Sequence, residues 1–204
     1  VPFWKIFCHG QKNFRQESAK LKYWWLQSSR LKMSRYSLFC VYFTSAVALA
    51  ILKTYRQVLF NAGAVGYLAM RNATVASAVE GCQAEVGVAS AMAASAAVEL
   101  MGGTPKQCLD AASTVLMNML GLVCDSVGGL VEYPCQNRNA AGVANALIVA
   151  EMSLAGIPQL IPFDEMLEAM YKVGKRLPVE LRETALSGCA TTPSACEACR
   201  VHEL

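Results

Sequence analysis

Gly81-Cys82-Gln83-Ala84-Glu85-Val86-Gly87-Val88-Ala89-Ser90-Ala91-Met92-Ala93-Ala94-Ser95-Ala96-Ala97-Val98-Glu99-Leu100 decides the fold class of this chain. Small side chains at Ala84, Gly87, Ala89, Ala91, Ala93, Ala94, Ala96 and Ala97 let neighbouring helices pack at short axial distance. The stretch therefore predicts a central buried helix, closed by Gly102-Gly103 as a stop signal. A tightly packed core helix accounts for the alanines entirely. It does not account for Gln83 and Glu85, polar groups at its head that need partners if buried. Cys82 stands where the helix begins, and the positive end of the helix dipole is expected to favour its thiolate.

The pattern stays helical on both sides. Thr104-Pro105-Lys106-Gln107 supplies an N-cap, a proline at the first helical position and a glutamine at the third, the arrangement of a capping box, and opens a helix to about Leu120. Gly121 to Asn137, with Gly128, Gly129 and Pro134, reads as a loop, and Asn139 to Leu154 as a helix. Pro158 and Pro162 interrupt before Asp164, which is expected to cap a helix ending near Gly174. Upstream, Leu59 to Arg71 is a helix, whole or broken at Gly63 and Gly66, whose glycines suggest close approach to another helix. No stretch alternates with period two for long enough to be a strand. The class is all-α, a compact helical domain around a central Ala-rich helix.

The chain has 204 residues, 54% of them apolar and 16% charged, which excludes a disordered chain and allows a sizeable core. Its net charge of +3 is unevenly spread. Residues 1–53 hold nine Lys or Arg against the single acid Glu17, so the remainder is net acidic and gives no nucleic-acid argument for the main domain. Composition shifts near Thr54-Tyr55. The expected organisation is a basic, aromatic extension over 1–55 and a catalytic-type domain over 56–204. Within the extension, 37–52 is uncharged over sixteen residues. That is short of the roughly 20 residues of a membrane span, so a buried helix, a signal anchor and a segment foreign to the domain stay open.

Nine cysteines, an odd number without a disulfide framework, favour a reducing compartment and a cytoplasmic location. Cys196-Glu197-Ala198-Cys199 is a CxxC pair without a second pair at zinc-like spacing, so a zinc half-site or redox pair has little support. Cys40 and Cys108 lie in apolar runs and read as core. Cys82, Cys124 and Cys135 differ, each flanked by glycine, amide, aspartate or proline. They are candidate cluster ligands, although cysteine is also commonly buried with no ligand to hold.

Residues 57 to about 198 resemble the α subunit, or equivalent catalytic domain, of the iron-sulfur-dependent L-serine dehydratases. Five segments carry the resemblance: Arg71-Asn72-Ala73-Thr74; Gly81 to Gly87; Cys124-Asp125-Ser126-Val127-Gly128-Gly129-Leu130-Val131; Pro134-Cys135-Gln136-Asn137-Arg138-Asn139-Ala140; and Leu181-Arg182-Glu183-Thr184-Ala185-Leu186. The cysteine spacings of 42 and 11 residues are similar to the family's ligand spacing.

The resemblance implies a [4Fe-4S] cluster on Cys82, Cys124 and Cys135, carried by loops, with one iron lacking a cysteine. It implies cluster-assisted conversion of L-serine to pyruvate and ammonia. Arg138 would hold the serine carboxylate, or instead pair with Glu85 to close the loop, and Gln83, Glu85 and Asn139 would orient substrate or bond cluster sulfurs. Cys189, Cys196 and Cys199 read as a mobile tail. The implied partner is a β domain or subunit, or a homodimer mate.

Three departures from the family pattern stand out. Residues 1–56 lack a loop of the kind Ala-Pro-Thr-x-Gly, so the N-terminal part of the family domain is expected to be missing or replaced. Glu80 stands where a small residue is expected, and Ser126 where proline is. Three readings follow: a serine dehydratase catalytic chain, a truncated inactive relative that binds a cluster, and a membrane-anchored helical protein.

Overall fold

A computed structural model describes residues 35–201, with side chains from 54 to 199. Residues 1–34 of the basic extension lie outside the described residues, as do the side chains of the apolar segment 37–52. The chain divides into two compact units, 1–50 and 51–204. The second is all-α, and among the described residues there is no β-strand.

Helix α1, Arg35–Asn72, passes through the expected boundary at Thr54-Tyr55 and is not broken at Gly63 or Gly66. Gly66 instead permits the anticipated close approach: a Cβ there would stand 2.8 Å from Met92 Sδ. The short α2, Ser77–Glu80, leads to Cys82 and a π-helical turn, Gln83–Gly87, before the Ala-rich α3, Val88–Leu100. The single helix expected from Cys82 is thus divided. π turns occur often at functional sites, and this one directly follows a candidate ligand.

α4 spans Pro105–Asn118, α5 Cys135–Leu154, α6 Phe163–Arg176 and α7 Pro193–Val201. α5 starts four residues earlier than expected, which places Cys135 in its first turn. Asp164 lies inside the first turn of α6, with Pro162 at the cap position. Asp164 and Glu165 there, and Lys175 and Arg176 in the last turn, complement the helix dipole.

α3 packs against α4 and α5, and α4 also against α6. The core joins Val65 and Ala69 of α1, Ala91, Ala94 and Val98 of α3, Val115 and Leu116 of α4, Val149 of α5, and Met166, Leu167 and Met170 of α6. Cys108 is part of it, as its apolar surroundings suggested. Two buried polar residues satisfy each other across α1 and α3: Asn61 Nδ2 donates to Ser95 O at 3.2 Å, and Ser95 Oγ donates to Asn61 Oδ1 at 2.9 Å. Glu80 is buried with neither carboxylate oxygen bonded. Burial raises its pKa, with Lys175 pulling the other way.

The capping box forms as its sequence predicts, Gln107 N–H donating to Thr104 Oγ1 at 3.3 Å and Thr104 N–H to Gln107 Oε1 at 2.9 Å. Thr104→Ala is expected to cost about 1 kcal/mol. In a chain of this size that lowers the melting temperature by about 2–4 °C, measurable by circular dichroism.

Candidate active site

Three separate segments deliver the candidate ligands. Cys82 follows Gly81, whose φ of +75° suits glycine and whose added Cβ would meet Leu122 O at 2.7 Å and Leu177 Cδ1 at 2.9 Å. A side chain at this position has neither the space nor the backbone conformation. Gly81→Ala is expected to cost about 2–3 kcal/mol in urea unfolding and to displace Cys82.

Cys124 leaves α4 in an extended segment bridged in parallel to Arg182. Cys124 N–H donates to Leu181 O at 2.8 Å, and Glu183 N–H donates to Cys124 O at 2.9 Å. Cys135 opens α5 after the cis Tyr133-Pro134 bond. Their exposures are 1%, 3% and 7%, and all three are free thiols.

The structure brings Cys82 and Cys124 together, with Cys135 near enough to feel the Cys124 charge. Cys82 and Cys124 share a buried cluster with Val86, flanked by Met119 and Leu122. The Cys82 thiol is pushed up to about 12, first by burial and then by the charge and hydrogen bond of Cys124, with Arg138 opposing. Burial likewise raises Cys135, followed by the charges of Cys124 and Glu85. The expected help to Cys82 from the helix dipole is thus outweighed: at 1% exposure, loss of water dominates. Among the described residues no three His, Cys, Asp or Glu converge on a single metal ion.

Arg138, half-buried on α5, is the hub beside them. Its Nη1 donates to Asp125 Oδ1 at 2.7 Å and to Val123 O at 2.8 Å, and lies 4.0 Å from Cys82 Sγ. The alternative pairing with Glu85 does not form. Glu85 is exposed on the π turn, near enough to Cys135 to act on its thiol, and Asn139 is exposed on the first turns of α5. Gln83 is buried and fully engaged, Nε2 donating to Met170 O at 2.9 Å and Oε1 accepting from Gly121 N–H at 2.8 Å. Its amide braces the π turn against α6 and the end of α4.

Asp125 is the site residue that the sequence reading passed over. It is 3% exposed, and its Oδ2 accepts the Cys189 N–H at 2.7 Å. Burial alone would raise its pKa, but Cys189 and Arg138 together hold it below the ordinary carboxylate value. The same contact docks the segment expected to be a mobile tail. The turn Gly188–Thr191 and α7 pack on Val127–Gly129, where Cys199 Sγ stands 3.1 Å from the place of a Gly128 Cβ. The one available signal was that Asp125 directly follows Cys124, which alone does not reveal a partner 64 residues away.

An open surface depression of about 310 Å³ lies beside this hub, lined by Asn118, Met119, Leu122, Arg138, Ala141 and Asn145. Such a volume suits a small ligand.

The family profile "Serine dehydratase alpha chain" matches residues 37–190. The chain belongs to the serine dehydratase alpha chain family. This family member is 56% identical over 139 residues to the "Probable L-serine dehydratase, alpha chain" of Bacillus subtilis (strain 168), covering 68% of this chain and 46% of that protein. It is 55% identical over 126 residues to the "L-serine dehydratase, alpha chain" of Peptoniphilus asaccharolyticus, covering 62% and 43%. It is 41% identical over 138 residues to "L-serine dehydratase 1" of Escherichia coli (strain K12), covering 67% and 30%. It spans between 29% and 65% of the length of the curated relatives it matches. The family match begins twenty residues before the segment in which sequence reading placed the resemblance, and so takes in 37–52. Among the described residues no helix is long and apolar enough to cross a membrane.

Proposed function

We propose that this chain is the cluster-carrying catalytic part of an L-serine ammonia-lyase, forming pyruvate and ammonia from L-serine. The observation that carries the reading is three buried free thiols from three segments, Cys82 against Cys124 and Cys135 close enough to feel the Cys124 charge, with the Arg138 guanidinium beside Cys82. Cysteines with no function beyond packing would have no need of that neighbour.

The residues fit a [4Fe-4S] cluster. A cluster takes one thiolate per iron, so its ligands surround a group several atoms wide and do not converge on one ion. Cys82 and Cys135, whose thiols burial and the neighbouring Cys124 push toward the protonated form, become good thiolates when cationic iron replaces the protons. Arg138 Nη1, 4.0 Å from Cys82 Sγ, adds positive charge beside a ligand sulfur. Cys82, Cys124 and Cys135 would hold the group. The chemistry it supplies when bound is Lewis acidity toward a serine hydroxyl, from the iron that three thiolates leave without a protein ligand.

The protein's own part is binding and orientation. The contacts Arg138 makes to Val123, Asp125 and Cys82 all run through Nη1. Its other edge is left to receive the serine carboxylate from the adjoining depression as a fork. Asp125 fixes the guanidinium in that pose. Asn139 and Glu85, both exposed beside Cys135, would contact the substrate amino group or hydroxyl, and Gln83 holds the turn that carries Cys82. Removal of the α proton and loss of the hydroxyl give aminoacrylate, which hydrolyses to pyruvate and ammonia. The name alpha chain, carried by the relatives, supports a β-type domain or subunit that would complete the pocket, alone or with a second copy.

Pyruvate release after anaerobic cluster assembly tests the reading. L-serine is expected to release pyruvate and D-serine none, with the chain alone or with an added β chain. A loaded chain that releases none in either case would contradict it.

A further inference from the structure

The segment Leu181–Leu186 contains the two non-glycine residues of the described chain with positive φ, Glu183 at +63° and Ala185 at +55°. Such strain persists only where surrounding bonds impose it, and it gathers at functional sites. The bonds here are specific. Glu183 N–H donates to Cys124 O at 2.9 Å, and Glu183 Oε2 accepts the Ser77 hydroxyl at 2.8 Å. Ser77 is 4% exposed, and its own carbonyl accepts Gly81 N–H at 2.7 Å, one residue before Cys82. The loop is tied down on both flanks, Arg182 Nη1 donating to Val79 O at 3.3 Å and Thr184 Oγ1 to Val179 O at 3.1 Å.

We infer that Glu183 is a positioning residue: bonded through its main chain to Cys124 and through its carboxylate to the turn before Cys82, it sets where these two thiols stand relative to each other. Its left-handed backbone is what lets one residue reach both. The inference rests on the reading of Cys82 and Cys124 as ligands of one group, but the clasp itself is a property of the protein without that group. Glu183 acts through Ser77 and Cys124 and is given no contact with substrate.

The test uses the cluster-free chain, with iodoacetamide labelling of individual cysteines followed by mass spectrometry. Ser77→Ala and Glu183→Ala are each expected to speed labelling of Cys82 and Cys124 about tenfold, the factor carried by one lost hydrogen bond to a charged group. Cys108, in the core but away from the clasp, should label at its wild-type rate. Glu183→Gln keeps an acceptor for the Ser77 hydroxyl and should stay near wild type, whereas Glu183→Gly relieves the backbone but loses the bond and should behave like Glu183→Ala. Unchanged labelling of Cys82 and Cys124 in the alanine variants, a matching rise at Cys108, or wild-type behaviour of Glu183→Gly would overturn the inference. In the reconstituted protein, Glu183→Ala should lose its visible band to a chelator about 10- to 100-fold faster. A wild-type chain that takes up no cluster would overturn the ligand reading instead, and the labelling would still decide the role of Glu183.

Discussion

Cys124→Ser is expected to abolish the visible cluster band of the anaerobically reconstituted chain while leaving its helical circular dichroism intact. The substitution is close to isosteric, and the fold at this position depends on the main chain, through Cys124 N–H to Leu181 O and Glu183 N–H to Cys124 O. These bonds survive in the variant. What disappears is one of the three thiols proposed to hold the cluster, and a serine hydroxyl is a poor substitute as an iron ligand. Cys108→Ala provides the contrast. It removes a comparably buried thiol, 4% exposed, from the apolar core, and should cost stability through a small cavity but keep the band. Absorption and circular dichroism spectra of both variants decide the matter. A Cys124→Ser protein with the full band would remove Cys124 from the ligand set.

Arg138→Ala is expected to be the most destabilising single change at the site, at about 3–5 kcal/mol in urea unfolding. The magnitude follows from what is left behind. Asp125, with its side chain 4% exposed, would keep the Cys189 N–H but lose its cation, and Val123 O would lose its donor. A buried carboxylate without a counter-charge is the costly species, so Arg138→Ala combined with Asp125→Ala should be less unstable than Arg138→Ala alone. Lysine should not replace the arginine well, since a point charge cannot serve Val123, Asp125 and a substrate carboxylate in one plane. Equal stability of the single and double variants would show that the buried ion pair is not the source of the loss.

The Ala-rich segment predicted the class, because small side chains in sequence order define a buried helix without reference to any partner. The capping box at Thr104 was equally legible, its bonds spanning three residues. Other features depend on contacts that local pattern does not contain. Gln83 reads as a polar residue in search of a role until its amide is seen between Met170 and Gly121, 87 and 38 residues away. Sequence offers Glu85, the acid on the neighbouring motif, as one of two roles for Arg138 beside substrate contact, but Glu85 is exposed on the π turn while Asp125 is buried beside the guanidinium. The π turn itself leaves no mark in periodicity. The stretch from Cys189 to Cys199 looks unanchored in sequence, with Pro193-Ser194-Ala195 inside it, whereas in the structure Asp125 accepts the backbone N–H of Cys189. Helix position suggests a favoured thiolate at Cys82, and burial first, then the neighbouring Cys124, neither of which sequence measures, reverses it.

The most direct test of the account is the visible absorption spectrum of the anaerobically reconstituted chain, recorded before and after L-serine and then D-serine. An iron-sulfur band that shifts with L-serine but not with D-serine is the predicted result, since it requires both a cluster on the three cysteines and a pocket that recognises the substrate's chirality. A chain that forms no such band would contradict the account and return Cys82, Cys124 and Cys135 to ordinary core packing.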